Sequence, residues 1–199
     1  PLAKIAALVM AGRSLREMGL TREVKPRHFA VKEAVFPFAR FPGMDIVLSP
    51  EMKSTGEVMG IDVEPGAAFL KSQMAAGNTI PRNGNVFMSV RDADKSAIVP
   101  LARRLHDLAF VIYATEGTST ALRAGGIPSR AIFRISNGRP NVLDMIAEHD
   151  VGWIVNTPSG GERPMLDEIK MRSEAVVRGI PITTTLNGLE AAIKGLEAW

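Results

Sequence analysis

The chain has 199 residues and no cysteine, so disulfides, thiolate catalysis and cysteine-based zinc sites are excluded. Its 46% hydrophobic and 23% charged residues are typical of a soluble globular protein, and no apolar run is long enough to span a bilayer. These features favour a cytoplasmic location. The net charge of +3 contains no basic run, so neither nucleic acid nor a membrane is an expected partner.

The first part of the chain, residues 1–82, predicts few regular elements. They are helices over residues 2–11 and 65–76, a strand over residues 28–36 and an extended loop over residues 36–50. We expect the first helix to be buried through Ile5, Leu8 and Val9. Two helices and one strand cannot form two packed layers, so we expect the structure that completes this part to lie elsewhere.

The second part alternates strands and helices regularly after a linker over residues 78–85. Strands are predicted over residues 86–90, 110–114, 131–136, 152–155 and 181–184. Helices are predicted over residues 95–108, 119–124, 142–149, 166–178 and 189–198. This alternation predicts an α/β domain with a parallel sheet of five strands, flanking helices and right-handed crossovers.

Small polar and basic residues follow four of these strands. They are Arg91 and Lys95 after the first, residues 115–118 after the second, residues 156–161 after the fourth and residues 183–185 after the fifth. Taken singly, such residues are more often helix N-caps than ligand contacts. The carboxyl ends of parallel strands meet at one edge, however, where backbone N–H groups and cations such as Lys95 and Arg134 favour an anion. The sequence therefore predicts a phosphate-binding site there.

The sequence contains no arrangement typical of a nucleophile with its base. The three histidines, His28, His106 and His149, have no motif partner nearby. Asp144 is a carboxylate that could act as a base, but we expect it either to face solvent or to pair with Arg139. We therefore assign neither catalytic residues nor metal ligands.

Five segments resemble the C-terminal end of carbamoyl-phosphate synthase large chains. They are residues 31–60, 114–118 (ATEGT), 137–146 (NGRPNVLDMI), 156–161 (NTPSGG) and 183–188 (TTTLNG). The resemblance implies that residues 1–82 are the remnant of an ATP-grasp unit that phosphorylates carbamate. It implies that residues 83–199 are a methylglyoxal-synthase-like allosteric domain.

The resemblance also implies two effector sites. Positions matching the family's contacts to a uridine or inosine monophosphate are Lys95, Thr115, Thr118, Arg134, Asn156 and Thr157. Positions matching an ornithine-type effector site are Glu33, Leu48 through its carbonyl, and Thr184.

The activity that the resemblance implies is ATP-dependent synthesis of carbamoyl phosphate from bicarbonate and glutamine-derived ammonia, for pyrimidine and arginine biosynthesis. The implied cofactors of that ligase are ATP and Mg or Mn. Its implied partners are the rest of the large chain and a glutaminase small chain. The family's ATP and metal ligands lie upstream of the position matching Pro1, so we expect this chain alone to hold no cofactor and to be inactive.

Two other functions fit the same predicted fold. One is a phosphate lyase of the methylglyoxal synthase type, although residues 137–144 lack that family's glycine run. The other is a structural domain for homo-oligomerisation. Nucleotide binding, turnover of dihydroxyacetone phosphate, and self-association without anion binding distinguish the three.

Overall fold

The computed structural model describes residues 2–35, 56–158 and 162–199, with side chains given for all of these except 162–164. The loop predicted over residues 36–50, which contains Leu48, lies outside the described residues. None of the helices in the described ranges is long and apolar enough to cross a membrane.

Five parallel strands form the main sheet, which confirms the predicted fold class. They are β3 (Gly84–Ser89), β4 (Phe110–Thr115), β5 (Arg130–Ile132), β6 (Trp153–Asn156) and β7 (Ile182–Thr183). Their order across the sheet is β5-β4-β3-β6-β7. The chain builds outward from β3 to β5 and then crosses to the other side for β6. The strand order therefore reverses between β3 and β6, where open sheets of this kind form a crevice at their carboxyl ends.

Helices cover both faces of this sheet. They are α3 (Lys95–Asp107), α4 (Glu116–Ala124), α5 (Val142–Ala147), α6 (Glu162–Val177) and α7 (Leu186–Glu197). Successive residues of β3 enter different cores: Val86 and Met88 join one cluster with α3, α4 and α7, while Phe87 joins a second with α5 and α6. Trp153 of β6 is fully buried and meets Phe110 edge to face, with ring centroids 5.8 Å apart. The central strands β3, β4 and β6 are mainly apolar because both faces are covered, whereas β5 at one edge begins with the exposed Arg130.

Before the main sheet, the chain forms α1 (Leu2–Met10), β1 (Phe29–Val35), β2 (Gly56–Asp62) and α2 (Pro65–Ala75). Strand β2 pairs antiparallel with β1 and was not predicted, so the expectation of one strand was wrong. Its two glycines weaken the strand signal. Gly60 is required by packing, because a Cβ there would overlap the carbonyl of Ala68 and the amide of Ser72 in α2.

Helix α1 forms where it was predicted, but the expectation that it is buried was wrong. It has no buried residue, Leu8 and Val9 are exposed, and Ile5 is only partly covered. An apolar sequence can specify a helix, whereas burial needs a second surface, and the rest of the described chain does not cover α1.

Helix α2 packs on the α/β body as well as on β1 and β2. Leu70 of α2 and Ile80 of the predicted linker belong to the same buried cluster as α3, α4 and α7. Arg82 lies over the ring of Trp199, 5.0 Å from its centroid. The boundary predicted between residues 82 and 83 stays a prediction, and α2 has a close structural tie to the second part.

Candidate functional site

A cleft of about 330 Å³ opens at the carboxyl ends of the strands, where the strand order reverses. Its walls come from the ends of β3, β4 and β6, the segment after β5, and α6. The polar and charged residues that line it are Ser89, Arg91, Asp92, Thr115, Arg134, Asn156, Thr157, Asp167 and Glu168. Four of the six predicted nucleotide contacts are in this set.

Hydrogen bonds between the ends of β3 and β6 build one wall. The Asn156 side-chain amide donates to the Ser89 carbonyl at 3.1 Å, and the Thr157 backbone N–H donates to the same oxygen at 3.2 Å. The Arg91 backbone N–H donates to the Thr157 hydroxyl at 3.0 Å. Arg172 of α6 donates to the Asn156 side-chain oxygen at 2.9 Å. Hydrogen bonds therefore fix both the NH₂ group and the oxygen of the Asn156 side chain.

Thr115 and Thr118 lie at the junction of β4 and α4. The structure corrects the predicted loop over residues 114–118, because β4 continues to Thr115 and α4 begins at Glu116. Thr118 is only 1% exposed, and its hydroxyl accepts from the Val90 backbone N–H at 3.2 Å and from the Thr115 hydroxyl at 3.3 Å. Thr115 lines the cleft, whereas Thr118 supports it from within the core.

Lys95 is the first residue of α3. It does not line the cleft itself, but it contacts Asp92, which does. Its ammonium lies 2.6 Å from the Asp92 carboxylate, and the Lys95 hydrogen bond lowers the pKa of that carboxyl. A Cβ built on Gly117 would lie 2.8 Å from the Lys95 ammonium, so this cation sits directly against the first turn of α4. The absence of a side chain at Gly117 leaves room for it.

Arg134 lines the cleft after β5. It was predicted on a strand over residues 131–136, but β5 ends at Ile132 and Arg134 leads into a 3₁₀ turn over Ile135–Asn137. Asp167 of α6 accepts from the backbone N–H of Ser136 at 3.1 Å and from its hydroxyl at 2.8 Å. These bonds tie the turn that follows Arg134 to α6.

The polar residues after β7 have other roles, so three strand ends and the segment after β5 form the cleft. Thr183 accepts from the Trp153 indole at 3.0 Å, and Thr185 caps α7 by accepting from the Gly188 backbone N–H at 3.1 Å. The predicted ornithine-type positions stay untested. Glu33 accepts from Gln73 at 2.9 Å and Thr184 is exposed, while Leu48 is outside the described residues.

Sequence reasoning missed Ser89, Asp92, Asp167 and Arg172. Ser89 ends β3, a position that the strand-end argument could have included. Asp167 and Arg172 contact residues of other elements, a role that no local spacing signals. Asp92 contacts Lys95 only three positions along the chain, but an acidic side chain was not expected in a site for an anion.

Asp144 has a structural role, and the expected pairing with Arg139 is confirmed at 3.4 Å. Its carboxylate also accepts from the Asn141 backbone N–H at 2.8 Å in a capping box at the start of α5. Among residues 2–35, 56–158 and 162–199, no group of three or more His, Asp or Glu side chains is placed to hold a metal ion. No metal-dependent step is derived from these residues.

The sequence is similar to known proteins over almost all of its length. Residues 97–184 match the family described as an MGS-like domain. Carbamoyl phosphate synthase large chains from Myxococcus xanthus, Archaeoglobus fulgidus and Nostoc sp. are 45%, 50% and 46% identical over 99%, 100% and 100% of this chain. The chain spans 18% of the length of each of these relatives.

Residues 97–184 are therefore similar to an MGS-like domain, and four of the five strands of the parallel sheet lie within them. The chain is homologous over essentially its whole length to the C-terminal region of the carbamoyl phosphate synthase large chain.

Proposed function

We propose that this chain is the regulatory C-terminal part of a carbamoyl phosphate synthase large chain, and that its cleft binds the 5′-phosphate of a nucleoside monophosphate. The observation that carries the proposal is the position of the cleft at the reversal of strand order, with Thr115, Arg134, Asn156 and Thr157 in its walls. This is where open α/β sheets bind ligands.

The chemistry of the walls supports an anion as the ligand. Arg134 supplies a guanidinium, and Lys95 supplies an ammonium against the start of α4, where the helix dipole favours negative charge. Thr115 supplies a hydroxyl in the same region. Phe87, Phe133 and Met171 add apolar surface that suits a nucleoside.

The activity that we propose for the parent enzyme is the one after which the relatives are named. In the proposed parent enzyme, a ligase, ATP with Mg or Mn drives carbamoyl phosphate synthesis, and the rest of the large chain and a glutaminase small chain are the partners. The contribution that we propose for this chain is effector binding in the cleft. We expect the purified chain to form no carbamoyl phosphate from ATP, bicarbonate and ammonia.

Calorimetric titration of the full chain with uridine and inosine monophosphates tests the proposal. Lys95→Ala and Arg134→Ala should each weaken binding about ten-fold or more, because one charge-assisted hydrogen bond contributes roughly 1.5–3 kcal/mol. Lys194→Ala is a matched control. Its ammonium pairs with Glu190 on α7 at 2.8 Å, much as Lys95 pairs with Asp92, but Glu190 does not line the cleft, whereas Asp92 does.

Three further measurements separate the alternatives: turnover of dihydroxyacetone phosphate, self-association, and the stability of Lys95→Ala. Turnover of dihydroxyacetone phosphate would favour the lyase, which is poorly supported because Asp144 is engaged in capping α5. Self-association without binding of either nucleotide would favour a structural oligomerisation domain. A marked loss of stability in Lys95→Ala with unchanged nucleotide affinity would make Lys95 a structural residue and contradict the proposed phosphate site.

A further inference from the structure

Asp92 places a negative charge inside a site whose other features favour an anion. It lines the cleft, and its carboxylate lies 2.6 Å from the Lys95 ammonium. Arg134 across the cleft also lowers the pKa of this carboxyl. The negative charge of Asp92 is therefore stabilised by both cations that would hold a phosphate.

The Asp92 carboxylate can separate from the Lys95 ammonium at little cost in free energy. Its side chain is 90% exposed, whereas that of Lys95 is 27% exposed and confined against Gly117. Exposed ion pairs contribute little to stability, and the residue belongs to a short 3₁₀ turn before α3. An incoming phosphate can replace the carboxylate on Lys95 without disturbing a buried group.

Among the side chains that the structure describes, no other cation is paired with Asp92 as closely as Lys95. Asp94 on the same turn engages Arg91 at 2.9 Å. Asp167 and Glu168 of α6 also line the cleft and are acidic themselves. Lys95 is the cation that Asp92 contacts directly.

We propose that Asp92 is an internal competitor for the anion site, whose carboxylate occupies Lys95 in the free protein and lowers the affinity for a phosphate ligand. This inference rests on the proposed function of the cleft. It differs from a supporting role for Asp92, in which the carboxylate would hold Lys95 in a conformation ready to bind. The two roles predict opposite effects of neutralising the residue.

Titration of the full chain with uridine monophosphate at low salt distinguishes them. Asp92→Asn should raise the affinity about five-fold, the factor that one unit charge ~4 Å away contributes in water. Asp107→Asn is the control, because Asp107 is an exposed carboxylate at the end of α3 that contacts His106 and does not line the cleft. The control should leave the affinity unchanged.

A double variant and a salt series test whether the competition acts through Lys95 and is electrostatic, and a melting temperature provides the stability control. The gain should be lost when Asp92→Asn is combined with Lys95→Ala, since the competition acts through Lys95. It should also shrink between roughly 0.01 and 1 M salt, over which the screening length falls about ten-fold. The melting temperature of Asp92→Asn should stay close to that of the wild type.

Each outcome decides between the hypotheses. Unchanged or weaker binding by Asp92→Asn, with binding by the wild type intact, overturns the inference and leaves the proposed function standing. Binding by Asp92→Asn alone supports the inference in its strongest form. Absence of nucleotide binding by both proteins removes the proposed function, and the inference with it.

Discussion

Gly66 and Gly195 bring the backbones of α2 and α7 into direct contact. A Cβ on Gly66 would lie 2.5 Å from the Gly195 backbone nitrogen, and a Cβ on Gly195 would lie 2.5 Å from the Gly66 carbonyl oxygen. Leu70 covers the same point, 2.5 Å from that second Cβ position. This contact joins the first part of the chain to the α/β domain.

Gly195→Ala should therefore destabilise the protein by about 2 kcal/mol or more, because the methyl group meets backbone that cannot yield easily. The gain in helix propensity, about 1 kcal/mol, does not offset this. Gly152→Ala is the control, since its Cβ would find Pro81 at 3.5 Å, an ordinary contact. Urea unfolding of both variants measures the difference, and equal midpoints would contradict the close contact.

The Thr118 hydroxyl should matter for folding. Thr118→Ala leaves the Val90 N–H without its acceptor in the core, which costs roughly 1–3 kcal/mol. Thr118→Ser keeps the hydroxyl and should recover most of the loss. Thermal unfolding of the pair provides the measurement, and a Ser variant as unstable as the Ala variant would assign the effect to the lost methyl group.

The contact between Arg104 and Glu197 should make stability depend on pH. Arg104 donates to both Glu197 oxygens, at 2.7 and 2.6 Å, and this hydrogen bonding lowers the pKa of Glu197 below the ordinary 4.5. The stabilisation is present above about pH 4.5 and is lost as the pH falls through the lowered pKa, because the unfolded chain takes up the proton first.

The excess stability of the wild type over Glu197→Gln should therefore be roughly 0.5–1 kcal/mol at neutral pH, after allowance for solvent screening, and approach zero in acid. Denaturant unfolding at several pH values measures it. Glu174→Gln is the control, since its carboxylate meets Arg178 at a longer 3.9 Å. A difference independent of pH would assign the Glu197 effect to packing.

Hydrogen exchange should separate α1 from α2. Helix α1 has nine residues and none is buried, and isolated helices of that length are marginal in water. Its amides should exchange far faster than those of α2, whose buried Leu70 joins the main core. Equal protection in a dilute monomer would show that another surface covers α1.

The local pattern of residues was sufficient to predict the sheet and much of the cleft. Strands β3, β4 and β6 were recognisable because burial on both faces makes most of their residues apolar, whereas the edge strands β5 and β7 are shorter than predicted. Of the residues predicted near this edge, Thr115, Arg134, Asn156 and Thr157 line the cleft, because the carboxyl ends of parallel strands meet at one edge. Helix starts were less predictable, as at Glu116, where β4 passes directly into α4.

Tertiary structure alone decided which strand ends are neighbours and which charges meet. The order β5-β4-β3-β6-β7 places Ser89 beside Asn156, although 67 positions separate them along the chain. The pairing of β1 with β2 and the burial of Leu70 also depend on distant segments. The periodicity of apolar residues shows which residues of an element are buried, but not which other element buries them. Strand order and the pairing of Arg104 with Glu197 arise from contacts between elements, which no local pattern encodes.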